Sequence, residues 1–461
     1  YFTLNHAHGQ LVRGVLAGLD RRLFRVTVGV IPTGNMFVDP DVVRAADGVV
    51  TVRPGHAAAD VASAGADVIV YTDQTSEATT QRLAFHRLAP LQAVFWGNPI
   101  TSGKRDCCAD SFLSADRMEH DGGGGSGAAR REAVLGGGEP GWGQYTEQLV
   151  RLEGQGVWYD PLEVPAESGR GNRSRFGLPP APAVLLGCMQ SSFKMHPSLD
   201  AVLAAVLRAV PGAHLVVIAA RKATWQALLE GRWRRTMPDV LDRVLVVPRQ
   251  PNGPAFLSLL SCVDVIVHPV PFGGSKTAAD ALALGVPIVS MPTRLLRARM
   301  ARSLLLSAGL DALLATGPAH MARMLARLAT DAPLRAAVGA AMRRSGGLVW
   351  SRQEVVGRWQ LWIMTALSMP AGRRREARAR LCEQEAGLAA AWREATASAD
   401  HTAVREGMAS VPRGALTPEE RSVWGAEAAA ELEEGVLAAA AAGEASTPAW
   451  EDPGTPLYEC V

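Results

Sequence analysis

Hydrophobic and polar positions along this chain fall into two alternating series. In the first hundred residues, short apolar runs rich in Val, Ile or Phe read as strands at 24–31, 49–52, 67–71 and 91–96. Segments with helical spacing of apolar residues separate them at 8–19, 57–64 and 76–87. A second series begins near Pro180, with strands expected at 183–188, 214–219, 244–247, 263–267 and 287–290. Its helices are expected at 198–209, 224–230, 254–261, 276–284 and 294–308, and further helical segments follow at 317–329, 332–345 and 350–367. Strands that alternate with helices predict βαβ units and parallel sheets, an α/β protein.

The same pattern divides the chain. A first domain is expected over 1–165, interrupted at 121–143 by "DGGGGSGAARREAVLGGGEPGWG", a glycine-rich insertion that cannot pack a core. A second is expected over 180–345, followed by a closing helix at 346–369. From 370 to 461 the composition shifts to Ala, Arg and Glu, which predicts a solvated, flexible tail with at most isolated helices. Open α/β sheets bind ligands beyond the carboxyl ends of their strands. Two such halves are expected to face a common cleft.

Composition narrows the classes. With 461 residues and a net charge of +2, the chain lacks the basic excess of a nucleic-acid-binding protein. No apolar stretch approaches the ~20 residues that a membrane span needs. The six cysteines show no CxxC or Cys/His metal spacing, so reduced thiols in an intracellular protein are expected and no metal site is. The chain opens at Tyr1 without a methionine, and a further N-terminal region is expected upstream.

Candidate chemistry clusters at strand ends. In "HPVPFGGSKTAADALALGVPIVSMP" (268–292), an apolar run leads through a glycine loop into a helix. Helix N-termini favour anions, and Gly273 and Gly274 permit close backbone approach. Ser275 is expected to cap the helix, with Lys276 and Thr277 in its first turn. Asp280, one turn in, suits ribose hydroxyls. The plain alternative is an ordinary tight turn. In "CMQSSFKMHP" (188–197), Lys194 stands beyond another strand, where it neutralises a diphosphate or is simply a surface lysine. Phe256, in "PRQPNGPAFLSLL", is placed to stack on a base or to pack in the core. Gly97 and Pro99, in "LAPLQAVFWGNPITSG", form a small-residue rim or a strand-end turn. His6 and His8 precede an amphipathic helix; histidine suits proton transfer near neutral pH, and an exposed terminal histidine is the plain alternative, the one expected of His8.

Taken in order, "NHAHGQL…GLDRRLFRV", "LAPLQAVFWGNPITSG", "EQLVRLEGQGVWYDP", "QSSFKMHP", "VDVIVHPVPFGGSKTAADALALGVPIVSMP" and "RARMA" resemble the catalytic region of O-GlcNAc transferase and its SPINDLY-like and bacterial relatives. The resemblance runs from about residue 3 to 367. It implies the two-Rossmann GT-B fold and a metal-independent inverting transfer of GlcNAc from UDP-GlcNAc to Ser or Thr of proteins. By the same resemblance Lys194 holds the donor diphosphate, with Gln190 beside it. Gly273, Gly274, Thr277 and Asp280 bind phosphates and ribose, Phe256 stands where a uracil-side histidine is usual, and Gly97 and Pro99 edge the sugar. His6 matches a proposed active-site base. Ser275 and Lys276 replace a His-Thr pair, and Asn98 replaces a tyrosine. GDP-fucose donors, asparagine acceptors and an inactive protein-binding module are the alternatives. Protein acceptors are the expected partners, held by upstream tetratricopeptide repeats, in the cytoplasm or nucleocytoplasm. No cofactor is expected beyond the nucleotide-sugar substrate.

Overall fold

The computed structural model describes residues 7–32, 38–72, 78–96, 99–103, 109–119, 145–162, 171–367, 401–424 and 429–430. The chain divides into two units, Tyr1–Pro161 with Leu348–Arg393, and Leu162–Gly347 with Glu394–Val461.

The first unit opens with α1 (Ala7–Gly18), whose Leu11, Val12 and Val15 are buried along one stripe. Gly14 lies so close to Trp158 that a Cβ there would stand 2.0 Å from the indole. β1 (Thr27–Val30) pairs in parallel with β2 (Gly48–Thr51), and α2 (Pro40–Arg44) lies between them in sequence. After α3 (Ala57–Ala62) come β3 (Val68–Tyr71), α4 (Ala78–Leu83), β4 (Leu91–Phe95), β5 (Ser111–Ala115) and β6 (Gln148–Leu152). These last four strands form a parallel sheet in the order β3-β4-β5-β6. Every residue of β4 and β5 is buried.

β5 and β6 were not expected from the pattern. "SFLSA" has two serines in place of branched apolar residues, and Ser114 becomes tolerable in the core only through its bond to Glu119, 2.5 Å away. The glycine-rich insertion at 121–143 and its expected flexibility lie outside the described residues.

The second unit alternates strand and helix: β7 (Val184–Cys188), α5 (Ser198–Ala209), β8 (Ala213–Ile218), α6 (Ala223–Thr236), β9 (Val244–Val247), α7 (Gly253–Leu260), β10 (Val265–Val267), α8 (Lys276–Leu284) and β11 (Ile288–Val289). All neighbours are parallel, in the order β11-β10-β7-β8-β9. The chain moves outward from β7 to β9, then returns to the other side of β7. Asp264 pins the amino ends of β7 and β10, accepting from Leu185 N at 2.8 Å and from Arg173 at 2.6 Å. Helices α9 (Leu296–Ser307), α10 (Pro318–Thr330) and α11 (Ala332–Ser345) complete the unit.

α12 (Gln353–Ala366), the expected closing helix, belongs to the first unit. Trp359 packs against Phe95 with ring centroids 5.4 Å apart, and Gln360 accepts from Asp20 N at 2.8 Å.

The expected flexible tail needs a correction over 401–424, while 370–400, 425–428 and 431–461 lie outside the described residues. Within 370–461, α13 (Thr402–Ala409) and α14 (Pro418–Trp424) dock on the second unit. Buried Arg323 of α10 takes both carboxylate oxygens of Glu420 at 2.7 Å and the carbonyls of Pro412, Gly414 and Ala415. Trp424, Met408 and Val404 are buried. Three apolar anchors and one multidentate arginine suffice to hold a segment whose overall composition reads as solvated.

Candidate active site

In the second sheet the order reverses between β7 and β10. Successive right-handed crossovers in one direction put their helices on one face, so a reversal sends the next helices to the opposite face and opens a crevice at the strand ends. The loops after β7 and β10 meet there, joined by an antiparallel bridge between Met195 and Pro271.

Lys194 ends the single 3₁₀ turn after β7. Its Nζ donates to Gly273 O at 2.7 Å and to Gln190 Oε1 at 3.0 Å, and it lies 4.2 Å from the centroid of the Phe272 ring. All three partners are neutral, and among the described residues no carboxylate pairs with this ammonium. Part of the side chain stays exposed, but burial lowers its pKa from 10.5 to about 8. The neighbouring Cys188 thiol is pushed up to about 12 by burial, so it supplies no counter-charge near neutrality. Arg232 braces this turn from α6. It donates to Met195 O at 2.7 Å while its guanidinium pairs with buried Asp200 at 2.9 Å.

The glycine loop packs directly on side chains beneath it. A Cβ on Gly273 would stand 1.8 Å from the His268 ring, and one on Gly274 would stand 2.4 Å from the Gln190 amide. Both glycines are therefore required by side chains packed beneath them. Their amides are also engaged, Gly273 N on Arg297 O at 3.0 Å and Gly274 N on His268 Nε2 at 2.8 Å. The donors left for an anion are the first-turn amides of α8, which have no intrahelical partner.

Ser275, expected to cap α8, makes no capping bond, because its backbone is already helical (φ −87°, ψ −63°) and a cap needs an extended residue. Lys276 forms an ion pair with buried Asp280 one turn on. Burial raises the Asp280 pKa, and Lys276 opposes that rise. Thr277 is half-buried in the same first turn.

The structure thus brings Gln190, Lys194, Gly273, Gly274, Ser275, Lys276, Thr277 and Asp280 to the ends of two adjacent strands. Phe256 stands on a separate element. It is half-buried on α7, which follows the edge strand β9. Pro99 is buried in the first unit, just after β4, and His6 and Gly97 lie outside the described residues. Three groups escaped the sequence reading: His268, Phe272 and Arg232. The first two stood inside the quoted motif, where a histidine directly after a buried strand and before paired glycines was the available signal. Arg232 has none, since only folding brings α6 to this turn.

No family model matches the chain. Among solved structures, a mutant of the O-GlcNAc transferase of Thermobaculum terrenum superposes with a TM-score of 0.60 at 21% identity, covering 83% of this chain and 67% of that one. The fold is GT-B. A curated protein, the UDP-N-acetylglucosamine–peptide N-acetylglucosaminyltransferase of Giardia intestinalis, is 28% identical over 170 residues. Those residues are 37% of this chain and span 11% of the relative's length. Anabaena Alr3699/HepE, solved with UDP and glucose, superposes at a TM-score of 0.49 and 14% identity, over 80% of this chain and 97% of that one. The GT-B chain described here therefore resembles the catalytic region of O-GlcNAc transferases, in sequence over one segment and in fold over most of its length. The proteins it resembles are glycosyltransferases. In this GT-B protein the Lys194 cluster lies at the strand-order reversal of the second unit's sheet.

Proposed function

We propose that this chain is an inverting glycosyltransferase that moves GlcNAc from UDP-GlcNAc to Ser or Thr of a protein, without a metal. One observation carries the reading: a partly desolvated ammonium, Lys194, has only neutral partners at the place where an α/β sheet binds ligands. A cation held this way needs an anion, and a diphosphate supplies one. The acceptor hydroxyl attacks the anomeric carbon, the bond to UDP breaks, and charge grows on the departing diphosphate. Lys194 and the first turn of α8 stabilise that charge, which makes them more effective in the transition state than in the ground state. Asp280 accepts from ribose hydroxyls. Phe256 is assigned to the nucleotide base, Gly97 and Pro99 to the sugar, and His6 to the role of general base.

The reading extends to upstream tetratricopeptide repeats that hold the acceptor and to a cytoplasmic or nucleocytoplasmic setting. Among the described residues no helix is long and apolar enough to cross a membrane.

Transfer from UDP-GlcNAc, UDP-glucose and GDP-fucose to peptide acceptors is the direct test. Thermal stabilisation by UDP above GDP is expected, since ligand at 100 times its Kd adds about 2.7 kcal/mol. A folded protein that binds none of these nucleotides ends the proposal. The second reading, a binding module without turnover, draws on the engaged glycine amides and the Lys276–Asp280 pair, which give both glycines and Lys276 partners within the protein. UDP binding with no transfer from any donor would favour it.

A further inference from the structure

We propose that His268 is a positioning residue for Lys194, acting through the single peptide group between Gly273 and Gly274. The proposal rests on the reading of Lys194 as the diphosphate-binding cation.

One peptide plane carries both ends of the link. Its carbonyl, Gly273 O, accepts from Lys194 Nζ at 2.7 Å, and its amide, Gly274 N, donates to His268 Nε2 at 2.8 Å. The His268 ring lies under Gly273, at a separation that no side chain there would allow. Its other nitrogen, Nδ1, is 3.1 Å from Ser290 Oγ, just beyond β11. These contacts determine the tautomer. Gly274 O also lies 3.0 Å from Nε2, but a proton on Nε2 would leave the buried Gly274 amide without an acceptor. Nε2 is therefore the bare nitrogen, and Nδ1–H donates to Ser290.

The ring is fully enclosed and its pKa is pushed down to about 4, so this neutral form persists through the physiological range. The result is a rigid connection from β11 through Ser290, His268 and one peptide to the ammonium. Rotation of that peptide would withdraw the carbonyl from Lys194, leaving only Gln190 and the Phe272 ring to aim it.

Three variants and one spectrum test this. In ¹⁵N-detected spectra the wild-type His268 ring should be neutral, protonated at Nδ1, with Nε2 in the range of an unprotonated nitrogen. His268→Leu keeps the packing volume but removes the acceptor, and UDP affinity and transfer should each fall about 10-fold or more. His268→Gln returns an amide oxygen near the Nε2 position and should recover most of the loss. Combined with Lys194→Ala, His268→Leu should add almost nothing, because both changes remove the same effect.

A ring protonated at Nε2, wild-type behaviour of folded His268→Leu, or losses that add in the double variant would each overturn the proposal. If His268→Leu does not fold, the Gln variant and the ring spectrum still decide. Should Lys194→Ala alone bind and turn over like wild type, the functional reading falls, whereas the tautomer reports separately on the hold that His268 has on the loop.

Discussion

The two larger sheets of this protein differ in how they are wound. In the first unit β3, β4, β5 and β6 lie in sequence order, and in the second the order turns back at β7. The polar groups differ accordingly. Near the in-order sheet they close on one another. Glu147 accepts from Thr101 Oγ1 and Ser102 N, both at 2.7 Å, and Glu119 accepts from Ser114 and Tyr145. At the reversal, one cation is left without a counter-ion among the described residues. Internal closure gives stability, whereas an unmatched charge at an open strand end is a means of binding. On the proposed function, the comparison teaches that the strand-order reversal leaves a cation for a ligand where the in-order sheet closes its polar groups on one another.

The largest test of this contrast is Lys194→Ala, which should keep the fold but slow transfer by at least ~100-fold. Lys194→Arg should also fail largely, since a planar guanidinium cannot present a compact charge at the same point. In the wild type, kcat/KM should fall as pH rises through about 8, where the free ammonium is lost. Stability should move the other way. The folded pKa lies below the ordinary 10.5, so between about 8 and 10.5 the unfolded chain holds more protons and native stability rises with pH. Lys194→Met should abolish that rise and melt higher than wild type at pH 7. Normal transfer by the alanine variant would dissolve the distinction between the two sheets.

Next in size are two glycines under the same steric demand. Gly273→Ala drives a methyl into the His268 ring and Gly14→Ala drives one into Trp158. Each should cost about 1–3 kcal/mol of stability in denaturant titration. Only Gly273→Ala should also weaken UDP binding by calorimetry. Equal affinity losses in the two variants would show that binding depends on overall integrity, not on the loop.

A smaller effect is expected in the closed network. Ser114→Ala should cost about 1 kcal/mol, because Glu119 keeps the Tyr145 hydroxyl, and should leave UDP affinity unchanged.

An effect of similar size is expected in the docked tail. Glu420→Gln should cost about 1 kcal/mol, since Arg323 keeps three carbonyl acceptors. Arg323 holds the Glu420 pKa below the ordinary 4.5, so its stabilisation is present above that value and lost as pH falls through the lower folded one. Proteolysis around 401–424 should accelerate over the same acid range. An unchanged cleavage rate would separate the tail from this ion pair.

Legibility followed the same physics. The strands and helices of the second unit were readable because buried parallel strands are continuous apolar runs and helices keep one apolar face, as at Val265–Val267 and Ser198–Ala209. Ser111–Ala115 was not readable, since Ser114 becomes compatible with burial only beside Glu119. Thr402–Ala409 was not readable either, because three anchors in a polar segment carry little periodic signal.

The chain by itself determined the alternation of strands and helices, the glycine loop, the candidate lysine and the likeness to a glycosyltransferase region. These are properties of local spacing, and local spacing is what a sequence states directly. Only the tertiary structure decided that the glycine amides are engaged, that Lys276 is paired while Lys194 is not, and that His268 underlies the loop. Each of those depends on which groups from distant positions reach one another. Hydrogen bonds and charges act over a few ångströms, and those distances exist only once the sheet has turned back on itself at β7.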